Sequence, residues 1–199
     1  MRAESIPWRL LCPLLFSLAC LLIAVLPETL IATLHYHRGA IFEGELWRLI
    51  SAHMTHLGWG HLSMNLVGLW FILYLFPAIQ QPMRCLTLLT LLMLGTSAGL
   101  WLFSPDVSWY RGLSGILHGL LCWGVLSQLR NQPRVSLSIL ILIVLKLLWE
   151  QWQGPLPGSE SMADGSVIVD AHLYGAVSGG ILWGLWSIYT GIAKTPTHN

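Results

Sequence analysis

The 199-residue chain is 55% hydrophobic and 10% charged with a formal net charge of +1, and its mean hydropathy is +0.66. That is too apolar and too poor in charge for a soluble domain of ordinary composition, and with a net charge this close to zero no basic surface suggests nucleic acid. The four cysteines suggest no disulfide framework and have no zinc-ligand spacing.

Arg2 and Arg9 precede an apolar run at about residues 10–26, which resembles a signal peptide in its basic start but leads into further apolar runs and reads as an uncleaved first span. Residues 28–56 are too broken by charge to cross a membrane and too rich in Trp, Leu and Ile to be simply solvated. They predict a loop lying partly in the interface, with His35, His37 and His53 solvated or interfacial. Five more spans are predicted at about 57–76, 86–103, 113–129, 135–148 and 167–189. No repeat or linker divides the chain, so residues 1–199 read as a single all-α membrane domain, a bundle of six transmembrane helices. Arg2, Arg9, Arg84, Arg130, Arg134 and Lys194 fall on one side, and Arg38, Arg48 and Arg111 on the other. Both termini are therefore expected in the cytoplasm. Lys146 reads as a snorkelling side chain beside Trp149 and Glu150, without a role.

Polar side chains inside apolar spans are costly unless they meet partners or a wet cavity, which makes their placement informative. His61 and Asn65 share one face of the second span, and Ser114 and His118 share one face of the fourth. On the sixth span, His172 is followed by Gly175 and Gly179, which match Gly115 and Gly119 on the fourth. Small residues at this spacing let membrane helices approach closely, and such an approach would bring Ser114 within hydrogen-bond reach of His172. A serine hydroxyl is a weak nucleophile until a base takes its proton, and neutral histidine suits that task near neutral pH. His61, Asn65 and the backbone N–H groups at Leu113 and Ser114 are candidate oxyanion donors. No carboxylate has the spacing for a third member, since Asp170 points to a different face from His172. The intramembrane metalloprotease signature H-E-x-x-H is absent, and neither a metal nor a cofactor is expected.

These residues resemble the motifs of the rhomboid family of intramembrane serine proteases. Gly112-Leu-Ser114-Gly115 resembles that family's G-x-S-G, and His172-x-x-Gly175-x-x-x-Gly179 its H-x-x-G-x-x-x-G. His61-x-x-x-Asn65 and Trp47-Arg48 resemble its second-helix H-x-x-x-N and the W-R of its half-submerged first loop. The resemblance implies a Ser114–His172 dyad without an acid, an oxyanion hole built from His61, Asn65 and backbone N–H groups, and substrates arriving from lipid near spans two and five. Many rhomboids carry a tyrosine that stacks on the catalytic histidine where this chain has His118.

The runs R-G-L-S-G-x-L-H-G and A-H-L-x-G-A further resemble the rhombosortase branch. That branch is associated with bacterial proteins whose Gly-Gly, hydrophobic and basic tails are clipped on the outer side of the inner membrane. The expected function is thus an intramembrane serine endopeptidase in the bacterial inner membrane, its site facing the periplasm and its partners membrane-anchored substrates and the bilayer. The alternative is a catalytically silent relative that binds transmembrane helices.

Overall fold

Helix formation follows the apolar runs closely. The computed structural model describes residues 7–193 and contains six long helices: α1 (Leu11–Ala24), α2 (Trp59–Leu75), α3 (Pro82–Phe103), α4 (Ser114–Gln128), α5 (Pro133–Gln153) and α6 (Val169–Ala193). Arg2 and Lys194, used above for orientation, lie outside the described residues.

Local chemistry sets the ends. Proline opens α3 and α5, where its missing N–H costs nothing, and the Gln81 side chain accepts from the Arg84 N–H at 2.7 Å to cap α3. Gly154, at φ +82°, stops α5. That helix therefore runs to Gln153 instead of ending near 148 and keeps Lys146 and Glu150 one turn apart on its inner side.

The principal core lies among α2, α3 and α4, where Leu69, Leu92, Leu113, Ile116 and Leu120 have no exposed surface. Outward faces are apolar as well. On α5, Leu137, Ile141, Leu142, Val144, Leu145 and Leu148 are each at least half exposed, a surface suited to hydrocarbon and unsuited to water.

The segment before α2 is more ordered than its charge pattern predicts. Arg38 donates to the carbonyls of Leu100 at 2.6 Å, Ser104 at 2.8 Å, Trp101 at 3.1 Å and Val107 at 3.3 Å, satisfying the end of α3. Arg48 is buried between the Glu45 carboxylate and the carbonyls of Ala32 and His35, at 2.6, 2.9 and 2.7 Å. A two-residue antiparallel ladder, β1 (Tyr36–His37) with β2 (Trp109–Tyr110), joins this segment to the approach to α4.

His53 corrects the sequence-based expectation. It is wholly buried, with Nε2 2.9 Å from Ser97 Oγ and 3.1 Å from the Met93 carbonyl. It plugs the loop onto α3 and is neither solvated nor interfacial. Burial pulls its imidazole from the usual 6.5 down to about 4. The neutral form is favoured in the fold, so this stabilisation is complete above about pH 6.5 and is lost as pH falls through about 4. Thermal unfolding in detergent should show the midpoint dropping over that interval, with a shallower drop in His53→Gln.

Candidate active site

Four helix ends converge. Ser114 is the first residue of α4, His172 lies in the first turn of α6, His61 opens α2, and Glu150 sits near the end of α5. The turn into α4 is unusual. Gly112 has φ +128°, a conformation that L side chains rarely adopt, and a Cβ there would stand 2.7 Å from the His61 ring. Its peptide is held at both ends: the N–H donates to the Ala52 carbonyl at 3.1 Å, and the carbonyl accepts from the Tyr110 hydroxyl at 2.5 Å. Burial pushes the Tyr110 phenol well above its ordinary value, so it remains a donor.

Backbone contact brings α4 and α6 together. A Cβ on Gly175 would fall inside the Gly115 carbonyl, and one on Gly179 inside the Gly119 carbonyl. In return, a Cβ on Gly115 would lie 2.7 Å from the Ala171 carbonyl. At this separation Ser114 Oγ lies 2.9 Å from His172 Nε2.

The far side of the imidazole is occupied. His172 Nδ1 lies 3.0 and 3.1 Å from the two carboxylate oxygens of Glu150. A carboxylate only accepts, so Nδ1 carries the proton and Nε2 offers its lone pair to the Ser114 hydroxyl. Lys146 Nζ pairs with Glu150 Oε1 at 2.6 Å. This overturns two expectations: a carboxylate does stand behind the histidine, and Lys146 is tied inward instead of snorkelling freely. Asp170 points elsewhere, accepting from the Ser104 hydroxyl.

His118 stacks on His172, with ring centroids 4.3 Å apart and planes 18° from parallel. Its Nδ1–H donates to the Ser114 carbonyl at 2.7 Å, the bond that fixes its ring over the neighbouring imidazole. Asn65 is buried, and its Nδ2 has no partner among the described residues, although it lies close to Gly112. His61 Nδ1 accepts weakly from the Leu57 N–H at 3.5 Å, which leaves Nε2–H directed at the Gly112 turn. Each of these groups borders a cavity of about 120 Å³ or stands directly behind it. The segment between α5 and α6 lines one side of the cavity through Ser159, Ala163 and Ile168. Asp164 of that segment packs against the start of α2, where a Cβ on Gly60 would lie 3.0 Å from its carboxylate.

Ligand atoms of His118, Glu150 and His172 lie within 4.8 Å of one another, close enough to hold a metal ion. Their existing bonds oppose that use, because His118 Nδ1 is committed to a carbonyl and Glu150 to an ammonium group.

Glu150 and Lys146 are the residues that sequence reasoning missed. The signal that could have found them is their i, i+4 spacing on a helix whose buried residues, Ser136, Ile143, Leu147 and Glu150, form one stripe.

Fold and site together define an all-α membrane protein with a serine and a histidine paired at one end of its helices. Residues 43–189 match the Rhomboid domain, and the chain belongs to the rhomboid family. It is 28% identical over 126 residues to rhomboid protease GluP of Bacillus subtilis (strain 168), covering 60% of this chain and 24% of that protein. It is also 31% identical over 148 residues to Rhomboid-like protein 11, chloroplastic, of Arabidopsis thaliana, covering 68% of this chain and 51% of that protein. The chain thus spans about a quarter and about half of these two relatives.

The glycine contacts set the Ser114–His172 distance, so their loss should be measurable. Gly175→Ala should destabilise the protein by about 1–3 kcal/mol through overpacking and lower its thermal unfolding midpoint in detergent. Gly184→Ala, on the same helix but in open space, should not lower it.

Proposed function

We propose that the chain is an intramembrane serine endopeptidase whose nucleophile is Ser114 and whose base is His172. The observation that carries this reading is the 2.9 Å approach of Ser114 Oγ to His172 Nε2. In the first step Nε2 takes the hydroxyl proton as Oγ attacks a peptide carbonyl. The tetrahedral oxyanion is met by Asn65 Nδ2–H, His61 Nε2–H and the backbone N–H groups at Leu113 and Ser114, and the unpartnered Asn65 amide supports that role. The imidazolium then returns the proton to the leaving amine, and water hydrolyses the acyl-enzyme.

The six long helices are the transmembrane spans, and both termini face the cytoplasm in a bacterial inner membrane. Arg9, Arg84, Arg130 and Arg134 crowd the end away from the site. At the site end Arg38 and Arg48 are consumed by internal carbonyls, and Arg111 pairs with Glu28 at 2.5 Å. The balance of basic residues thus favours the opposite end as cytoplasmic, with the site facing the periplasm.

The substrates are membrane-anchored proteins reaching the site laterally from lipid, and the resemblance to rhombosortases favours C-terminal Gly-Gly, hydrophobic and basic tails. A cavity of about 120 Å³ supports small residues at the scissile bond, because it holds backbone with little room for bulky side chains. Glycine also unwinds readily from a helix, as an extended peptide at Ser114 requires.

Co-expression with a protein carrying such a tail should release a product ending near the Gly-Gly pair, read by mass spectrometry. Ser114→Ala should leave the tail intact, and undiminished cleavage by that variant would end the proposal. Stacking by His118 should matter less: His118→Tyr should retain cleavage, whereas His118→Ala should slow it by about 2- to 10-fold, the scale of one lost aromatic pair.

A further inference from the structure

The inner stripe of α5 ends on a carboxylate that is only 3% exposed, on a helix whose other faces are apolar. Removing a carboxylate from water costs several kcal/mol unless charge and hydrogen bonds compensate it. Here both oxygens are used: Oε1 meets the Lys146 ammonium at 2.6 Å, and the pair of oxygens receives the His172 Nδ1–H at 3.0 and 3.1 Å. Lys146 Nζ also comes within 3.5 Å of His172 Nδ1, but an ammonium cannot accept the ring proton, so Glu150 is the acceptor.

We propose that Glu150, held in place by Lys146, is a positioning residue for His172 and converts the site from a dyad to a Ser114–His172–Glu150 triad. The inference rests on the reading of Ser114 and His172 given above. Accepting from Nδ1–H keeps the Nε2 lone pair on the serine hydroxyl. When the serine O–H bond breaks and the proton moves to Nε2, a positive charge appears on the ring, and the carboxylate 3.0 Å away opposes that charge. Nδ1 keeps its own proton throughout, and Nε2 passes the other to the leaving amine.

The remaining neighbours fit that division of labour. His118 covers one face of the ring and contributes no negative charge, and Asp170 on α6 is engaged by the Ser104 hydroxyl. Glu150 is therefore the carboxylate, among the described residues, that touches His172. Lys146 balances it in the resting state, leaving the cluster neutral until the ring is protonated.

A tether between α5 and α6 would need only hydrogen bonds, whereas a positioning residue needs the charge. Glu150→Gln separates the two, since its amide oxygen can still accept from Nδ1–H. The readout is labelling of detergent-solubilised protein by a fluorophosphonate, which reports serine activation without a peptide substrate. The maximal labelling rate should fall by about 100-fold or more, with reagent affinity within about 3-fold and the thermal unfolding midpoint retained. Glu150→Asp should recover a substantial part of the rate.

A Glu150→Gln protein that labels at the unsubstituted rate, or a Glu150→Asp protein as slow as Glu150→Gln, would overturn the triad. Should the Gln variant fail to fold, nitrogen-15 NMR of the unsubstituted protein decides, with the His172 signal assigned by its loss in His172→Gln. A proton on Nδ1 at neutral pH supports the assignment, and one on Nε2 refutes it. Ser114→Ala is the parallel control. If it still labels, the serine reading itself fails; if it is silent while Glu150→Gln is fast, only the triad does.

Discussion

The site depends on the contact of glycine with backbone carbonyl between α4 and α6. Gly115 and Gly119 face Gly175 and Gly179 so closely that no side chain fits between the two backbones. In hydrocarbon, where apolar burial does not drive helices together, such close approach supplies the van der Waals contact that holds them. It also sets a length. A serine hydroxyl and an imidazole on separate helices meet only when the axes are near enough for two short side chains to span the gap, and here they meet at 2.9 Å.

Around that contact, several polar groups that leave water have partners that also do structural work. Arg38 closes the end of α3, Arg48 gathers the loop carbonyls, and His53 fastens that loop to α3. Tyr110 clamps the Gly112 peptide on which Ser114 is mounted. The proposed catalytic groups stand on that scaffold, and Asn65 Nδ2, which among the described residues shares its lack of a hydrogen-bond partner with buried atoms of Tyr36, His53, His56, Arg84 and Thr96, differs from them in lining the cavity beside Ser114 and His172. A buried donor without a partner is the feature expected of a group kept for a charge that appears only during reaction.

The proposed Glu150–Lys146 pair changes how the site is compared with its family. The rhomboid resemblance implies a dyad, yet this chain places a carboxylate against the outer nitrogen of the imidazole and a histidine where many relatives have tyrosine. Both departures concern the same ring, one at its edge and one on its face.

Much of this was legible in the residues themselves. Apolar runs determined where the long helices lie, because hydrocarbon requires every backbone group to be paired within its own segment. Spacings of three and four residues determined which polar groups share a face, as with His61 and Asn65 or Gly175 and Gly179. Periodicity along one helix does not say which neighbouring helix its face meets, and there the tertiary structure decided. Glu150 looked like an outer boundary residue until α5 proved to run past it with Lys146 turned inward. His118 looked unexplained until the rotation of α4 laid it on His172, and His53 looked solvated until the loop folded against α3. Each of those outcomes depends on the relative rotation and distance of separate elements, quantities that arise only when the helices dock.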